Sequence, residues 1–139
     1  MIRQSNDQLA IRARAPGLHD FTDQVRKWVA ESGISDGLLT LFCRHTSASL
    51  LIQENAAPAA RRDLETFFAR LAPQSPAYEH ADEGPDDMPA HLRSALTNSQ
   101  LSVPVQRGAP LLGTWQGIYL FEHRREPPER LIALHLVGE

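Results

Sequence analysis

The chain has 139 residues, 42% of them hydrophobic and 22% charged, which describes one globular domain rather than a disordered chain. It is too short for a (β/α)₈ barrel, which takes about 250 residues, and short for a two-halved dinucleotide fold. With 14 Lys and Arg against 17 Asp and Glu, the net charge of −3 argues against a protein that holds DNA mainly through phosphate contacts.

From the N-terminus, Leu9, Ile11 and Ala13 alternate with polar residues, which predicts a half-buried strand over Gln8 to Arg14. Asp20 then offers a helix cap, with Asp23 three residues on as a carboxylate variant of the capping box. Phe21, Val25, Trp28 and Val29 fall on one helical face, and Gly33 stops that helix. Leu38 to His45 reads as a central strand, and Leu50, Leu51 and Ile52 as another short one. Asn55 offers a cap and Pro58 a first turn for a helix carrying Leu64, Phe67, Phe68 and Leu71.

Pro73 to Pro89 holds four prolines and Gly84 and reads as an irregular loop, a kind of segment that is often functional. A short helix follows, with Met88, Leu92, Ala95 and Leu96. Leu101, Val103 and Val105 alternate in a strand that Pro104 places at an edge or bulge. Trp115 to His123 and Leu131 to Val137 are two further strands, and the polar link between them, RREPPER, reads as a hairpin turn. Strands and helices do not alternate regularly. The expected fold is therefore α+β: a single compact domain, 1–139, with a mixed, mostly antiparallel sheet and helices on one face.

The longest apolar stretches are strand-sized, so no membrane span is expected. MIRQSNDQLA lacks the apolar core of a signal peptide, and the single cysteine, Cys43, makes no intrachain disulfide; the expected location is cytoplasmic.

Chemistry concentrates in three places. His45 ends a strand and opens His-Thr-Ser-Ala-Ser, which reads either as a strand end whose hydroxyls satisfy a turn, or as a base or ligand beside groups able to take a phosphate. His80 and His91 bracket a loop with Asp82, Glu83, Asp86 and Asp87 between them. Two imidazoles and four carboxylates in twelve residues resemble a divalent metal site, although the spacing matches no standard zinc motif. In that loop Asp87 could instead cap the next helix, and Asp82, Glu83 and Asp86 could be solvated charges. Glu122 shares its strand face with Gln116, Ile118 and Leu120; an unpaired carboxylate on so apolar a face is costly, so it needs an arginine or a metal. Its other reading is an edge-exposed glutamate. His135 reads as structural, His19 and His123 as solvated, and Cys43 as a small core residue. There is no P-loop, GxSxG or CxxC, which argues against P-loop ATP hydrolysis and redox exchange.

HTSASLLIQENA at 45–56, the histidine-to-histidine loop at 80–91 and LLGTWQGIYLFEH at 111–123, in that order, resemble the YjbQ family. The family is a group of small proteins often labelled secondary thiamine-phosphate synthase. The resemblance runs from the first strand to the closing Arg130-x₇-Gly138 pattern. It implies a compact α+β domain, a homotrimer with pockets near subunit contacts, and a metal-binding active region. Carried over by position, His45, His80, His91 and Asp87 are the expected metal ligands, and His45 and Glu122 the expected catalytic groups. Thr46, Ser47, Glu54, Trp115 and Gln116 are the expected substrate-binding residues. Trp115 and Tyr119 share a strand face on which a pyrimidine could stack.

The implied cofactor is a divalent ion: zinc, magnesium or manganese. The implied partner is a small phosphorylated metabolite. Two other activities fit the same residues: a metal-dependent phosphatase or hydrolase, and a non-catalytic trimer that binds a metabolite. Two positions depart from the family pattern. Gln53 stands where Asn is common before the glutamate, and both Asp86 and Asp87 are acidic where Asn often occurs.

Overall fold

In the computed structural model, which describes residues 1–139, eight strands and three helices follow one another as β1 (Arg3–Ile11), β2 (Gly17–Asp20), α1 (Thr22–Ser32), β3 (Gly37–Cys43), β4 (Ala48–Glu54), α2 (Pro58–Leu71), α3 (Asp87–Leu96), β5 (Gln100–Gln106), β6 (Ala109–Pro110), β7 (Gln116–Glu122) and β8 (Arg130–Gly138). The strands form two sheets, ordered β1-β8-β3-β5-β6 and β2-β7-β4. Every ladder is antiparallel. The fold is α+β, as expected. The mixed sheet of the sequence reading resolves into two purely antiparallel layers.

The main core lies between the layers. Leu39, Leu41, Ile132, Leu134, Leu136 and Val103 from the large sheet meet Leu50, Ile118 and Leu120 from the small one, with Val25 and Val29 of α1 closing the side. Each such buried aliphatic side chain contributes roughly 1.5–3 kcal/mol. The far side of the small sheet is covered by α2, where Leu64 and Phe68 pack on Leu18, Tyr119 and Phe121. The middle strand β7 is consequently buried from Gly117 to Glu122. The outer face of the large sheet carries no helix, which leaves Leu38 44% and Phe42 46% exposed.

Several local readings change. The segment after β7 is not a hairpin turn: β7 and β8 belong to different sheets, and RREPPER crosses between the layers. At the far end of β8, Gly37 and Gly138 lie opposite each other and let the β3 and β8 backbones touch, since a Cβ at Gly37 would strike the Val137 carbonyl. β1 begins at Arg3 and ends at Ile11, because its polar first half pairs residue by residue with β8. β2 was not foreseen; Gly17, at φ 121°, turns the chain into it.

Neither expected side-chain cap forms at α1 or α2. Asp20 instead accepts Thr22 N–H and O–H, and Asn55 donates to the Thr114 and Gln116 carbonyls. α3 starts at Asp87, so Pro89 lies in its first turn, where a missing N–H costs nothing.

Candidate metal centre

The loop that follows α2 is bent back at Gly84, whose φ of 101° is open to glycine but strained for other residues; the Asp87 N–H then bonds the Gly84 carbonyl at 3.3 Å. This turn puts Glu83 beside the start of α3. On α3, Asp87 and His91 are four residues apart and share one face. His80 comes in from the loop. One ligand atom each from His80, Glu83, Asp87 and His91 lies within 4.8 Å of the others.

Asp87 is at the centre and is 2% exposed. Its Oδ2 is 2.8 Å from His80 Nε2 and 3.1 Å from His91 Nε2. Its Oδ1 accepts Arg124 Nη1 at 2.5 Å. His91 Nδ1 lies 2.9 Å from the Thr46 carbonyl. A carbonyl only accepts, so that nitrogen carries the hydrogen, and in the neutral ring Nε2 presents a lone pair to a carboxylate oxygen. Two acceptors face each other at 3.1 Å, an arrangement satisfied by a proton or a cation between them. His–carboxylate sets of this kind suit zinc and related divalent ions.

The electrostatics point the same way. Hydrogen bonding to Asp87 raises the His80 pKa above its usual value, against a smaller desolvation effect. Burial alone would raise Asp87, but the His80 hydrogen bond and the charges of His91 and Arg124 bring it below the usual carboxylate range. Asp86 is likewise pushed up by burial but held low overall by the Arg125 N–H and the Arg124 guanidinium.

The structure thus brings His80, Asp87 and His91 together and adds Glu83, one of the loop carboxylates for which the sequence left both a metal-site and a solvated reading open. His45 is a correction. It lies outside this cluster, because its Nε2 accepts the Leu131 N–H at 2.8 Å and has no lone pair left for a metal. Burial, then the nearby Arg130 charge, lowers its pKa. It lines a separate depression of about 750 Å³ with Arg44, Thr46, Ser47, Ser99 and Arg130.

Glu122 is a second correction. It is fully buried and its oxygens are taken by Arg130 Nε at 2.7 Å, Arg130 Nη2 at 2.5 Å and the N–H groups of His123 and Arg124. Fully enclosed and paired with Arg130, it follows the arginine-partnered reading of its strand face and fits structural support. Ser47 and its carbonyl accept from the same guanidinium. Thr46 joins the cluster through its backbone alone.

Glu54, Trp115 and Gln116 are not brought to the cluster. In the β4–β7 ladder Glu54 pairs with Gln116 while Ala48 pairs with Glu122, so they sit at opposite ends of a seven-residue ladder, about 20 Å at 3.3 Å per residue. Glu54 Oε2 accepts Ala56 N–H, Gln116 Oε1 accepts Gly113 N–H, and Trp115 stands 64% exposed. Tyr119 is wholly buried with its hydroxyl on the Glu54 carbonyl, so the two aromatic rings offer no joint stacking face.

His123, expected in solvent, is buried with Nε2 3.0 Å from Ser49 Oγ. Cys43 is a core residue whose thiol is raised to about 11 by burial. Arg124 was missed altogether; an arginine in a polar link has no spacing that marks it.

The UPF0047 protein YjbQ-like family matches residues 7–139. Similar proteins include UPF0047 protein sll1880 of Synechocystis sp., 48% identical over 138 residues, covering 99% of this chain and 94% of that protein. UPF0047 protein YjbQ of Escherichia coli O157:H7 is 43% identical over 132 residues, covering 94% and 96%. Among solved structures, a YbjQ-like protein of unknown function from Sulfolobus solfataricus P2 superposes with a TM-score of 0.91 at 28% identity, over the whole of both chains. An uncharacterized yjbq/upf0047 family protein from Clostridium acetobutylicum does so at 0.82 and 32%, covering 95% of this chain and 98% of that one. With its three motifs, its two-layered fold and nearly its full length matched, this chain belongs to the YjbQ/UPF0047 family.

Proposed function

We propose that this chain is a small metal-dependent enzyme of the thiamine-phosphate-forming type, which joins a hydroxymethylpyrimidine pyrophosphate to a thiazole phosphate and releases pyrophosphate. The observation that carries the metal reading is the convergence of the His80 and His91 Nε2 atoms on Asp87 Oδ2, with His91 fixed from behind by the Thr46 carbonyl. The transferase reading rests on the family resemblance. A divalent ion held there would supply positive charge for a departing pyrophosphate.

The chain supplies the rest. Arg124 and Arg125 line a depression of about 500 Å³ beside Glu83 and Asp86, and Arg125 uses only its backbone N–H on Asp86, leaving its guanidinium for a phosphate. His45, with Nε2 occupied, is left to donate through Nδ1. Assembly as a homotrimer in the cytoplasm belongs to the same reading. The bare outer face of the large sheet, with Leu38 and Phe42, is surface that an assembly would cover.

The test is the double variant His80→Ala/His91→Ala, with bound metal measured by elemental analysis and folding by circular dichroism. Loss of metal from a folded variant is expected; unchanged metal content overturns the assignment. Product formation from the two phosphorylated substrates is expected in the loaded wild type. Turnover of simple phosphate esters without a second substrate would make it a hydrolase, and stabilisation by a metabolite without turnover a binding protein.

A further inference from the structure

Arg124 makes three contacts, each to a different part of the candidate centre. Nη1 bonds Asp87 Oδ1 at 2.5 Å, Nε bonds Asp86 Oδ2 at 3.1 Å, and Nη2 bonds the Glu83 carbonyl at 2.9 Å. A guanidinium does this because its donors are fixed in one plane. Its own backbone is fixed as well, since the Arg124 N–H bonds Glu122 Oε2, and Glu122 is locked by Arg130. The planar fork is therefore anchored to the end of β7 and reaches across to the loop and to the first turn of α3.

The consequence concerns the number of oxygens offered to an ion. With Arg124 donating to Oδ1, Asp87 turns Oδ2 toward the two imidazoles, and a second bond to an ion through Oδ1 would compete with the guanidinium. The Glu83 backbone is tied to the same guanidinium. One atom from each of four side chains, two nitrogens and two oxygens, converges within 4.8 Å. Zinc takes four such ligands in tetrahedral geometry. Larger, harder ions ask for six or more ligands and commonly use a carboxylate through both oxygens.

We infer that Arg124 is the positioning residue that sets the metal preference of this centre, holding Asp87 to one oxygen and so favouring a small four-coordinate ion such as zinc over manganese. The inference rests on the metal-centre reading above. It assigns Arg124 a part in selection that the bare ligand set does not explain, since nothing in His80, Glu83, Asp87 and His91 alone limits Asp87 to one oxygen.

The experiment measures dissociation constants for Zn²⁺ and Mn²⁺ by competition with a chelating indicator, on the full chain and on Arg124→Gln, Arg124→Lys and Asp86→Asn. Removing a positive charge strengthens both ions alike, so the ratio of the two constants isolates geometry from charge. Zinc binding is expected to weaken about 10- to 100-fold relative to manganese in Arg124→Gln, the usual span for loss of a residue that orients a ligand. Arg124→Lys keeps the charge but not the fork, and is expected to follow Arg124→Gln. Asp86→Asn removes one anchor of the guanidinium and leaves both ligand side chains of α3 intact; a smaller shift in the same direction is expected. That variant carries the test alone if the Arg124 variants fail to fold. An unchanged ratio in the folded variants, with zinc bound by the wild type, overturns the role of Arg124 and leaves the centre standing. Wild type that binds neither ion overturns the centre and this role with it.

Discussion

Two buried carboxylates sit on either side of the β3–β4 turn, and the protein treats them in opposite ways. Glu122 ends β7 with every oxygen occupied by a donor of the protein itself, chiefly the Arg130 fork. Asp87 begins α3 with one oxygen on Arg124 and the other facing two imidazole nitrogens. Both are removed from water and both must recover the cost of desolvation. Glu122 recovers it internally at any pH where it is ionised. Asp87 recovers it only when protons or a cation fill the space beside Oδ2. A saturated buried charge holds the fold together, whereas an incompletely saturated one is where the proposed ion would act.

The sharpest way to break this contrast is Arg130→Met. It leaves Glu122 buried without its partner and is expected to cost about 3–5 kcal/mol in urea unfolding; a loss below about 1 kcal/mol would mean that Glu122 is not held as described. The next effect is in acid. Burial, with Arg93 and Arg130 nearby, lowers the His123 pKa to about 3. The unfolded chain takes up this proton near pH 6.5, so between those values stability falls as pH falls, by about 1.4 kcal/mol per pH unit from this one group. His123→Gln should flatten that limb; an equally steep limb in the variant would contradict it.

Asp87→Asn comes third. Without metal it should cost less than Arg130→Met, because its neighbours are half-exposed histidines. It should abolish the stabilisation expected from zinc in the wild type, about 2.7 kcal/mol at 100 times Kd. That stabilisation should shrink as pH falls through the histidine range, because His80, whose pKa Asp87 raises, must be neutral to bind. Trp115→Ala is the smallest: within about 0.5 kcal/mol in stability and without effect on zinc affinity, since the ring is exposed at the other end of β7. A strong loss of zinc binding there would show that the two ends of the small sheet act together.

Sequence periodicity made the centres of β7, β8 and α1 legible because each buries a regular face. It could not separate the strands into two sheets, since Ile118 and Ile132 look alike in sequence and differ only in which layer they join. The first half of β1 stayed hidden because an exposed edge strand has no apolar pattern to show. The chemistry of the 80–91 loop was legible for a local reason: Asp87 and His91 are one helical turn apart. His45 was joined to them by the resemblance, and only the fold shows the Leu131 N–H reaching its ring. Arg124 and Arg130 lie in a link that reads as a solvated turn, and each turns out to serve a different buried carboxylate.

The turn between β3 and β4 carries a last consequence. The Thr46 carbonyl receives His91 from α3, and Ser47 receives Arg130 from the large sheet. A short connection of this kind ordinarily frays early. Here its opening demands that a helix and a strand let go together, so the Arg44 amide hydrogen, which bonds the Leu131 carbonyl, should exchange with solvent on the slow clock of global unfolding rather than the fast one of loop breathing. The turn is thereby the mechanical link through which the α3 cluster and the Glu122–Arg130 pair share one rigidity.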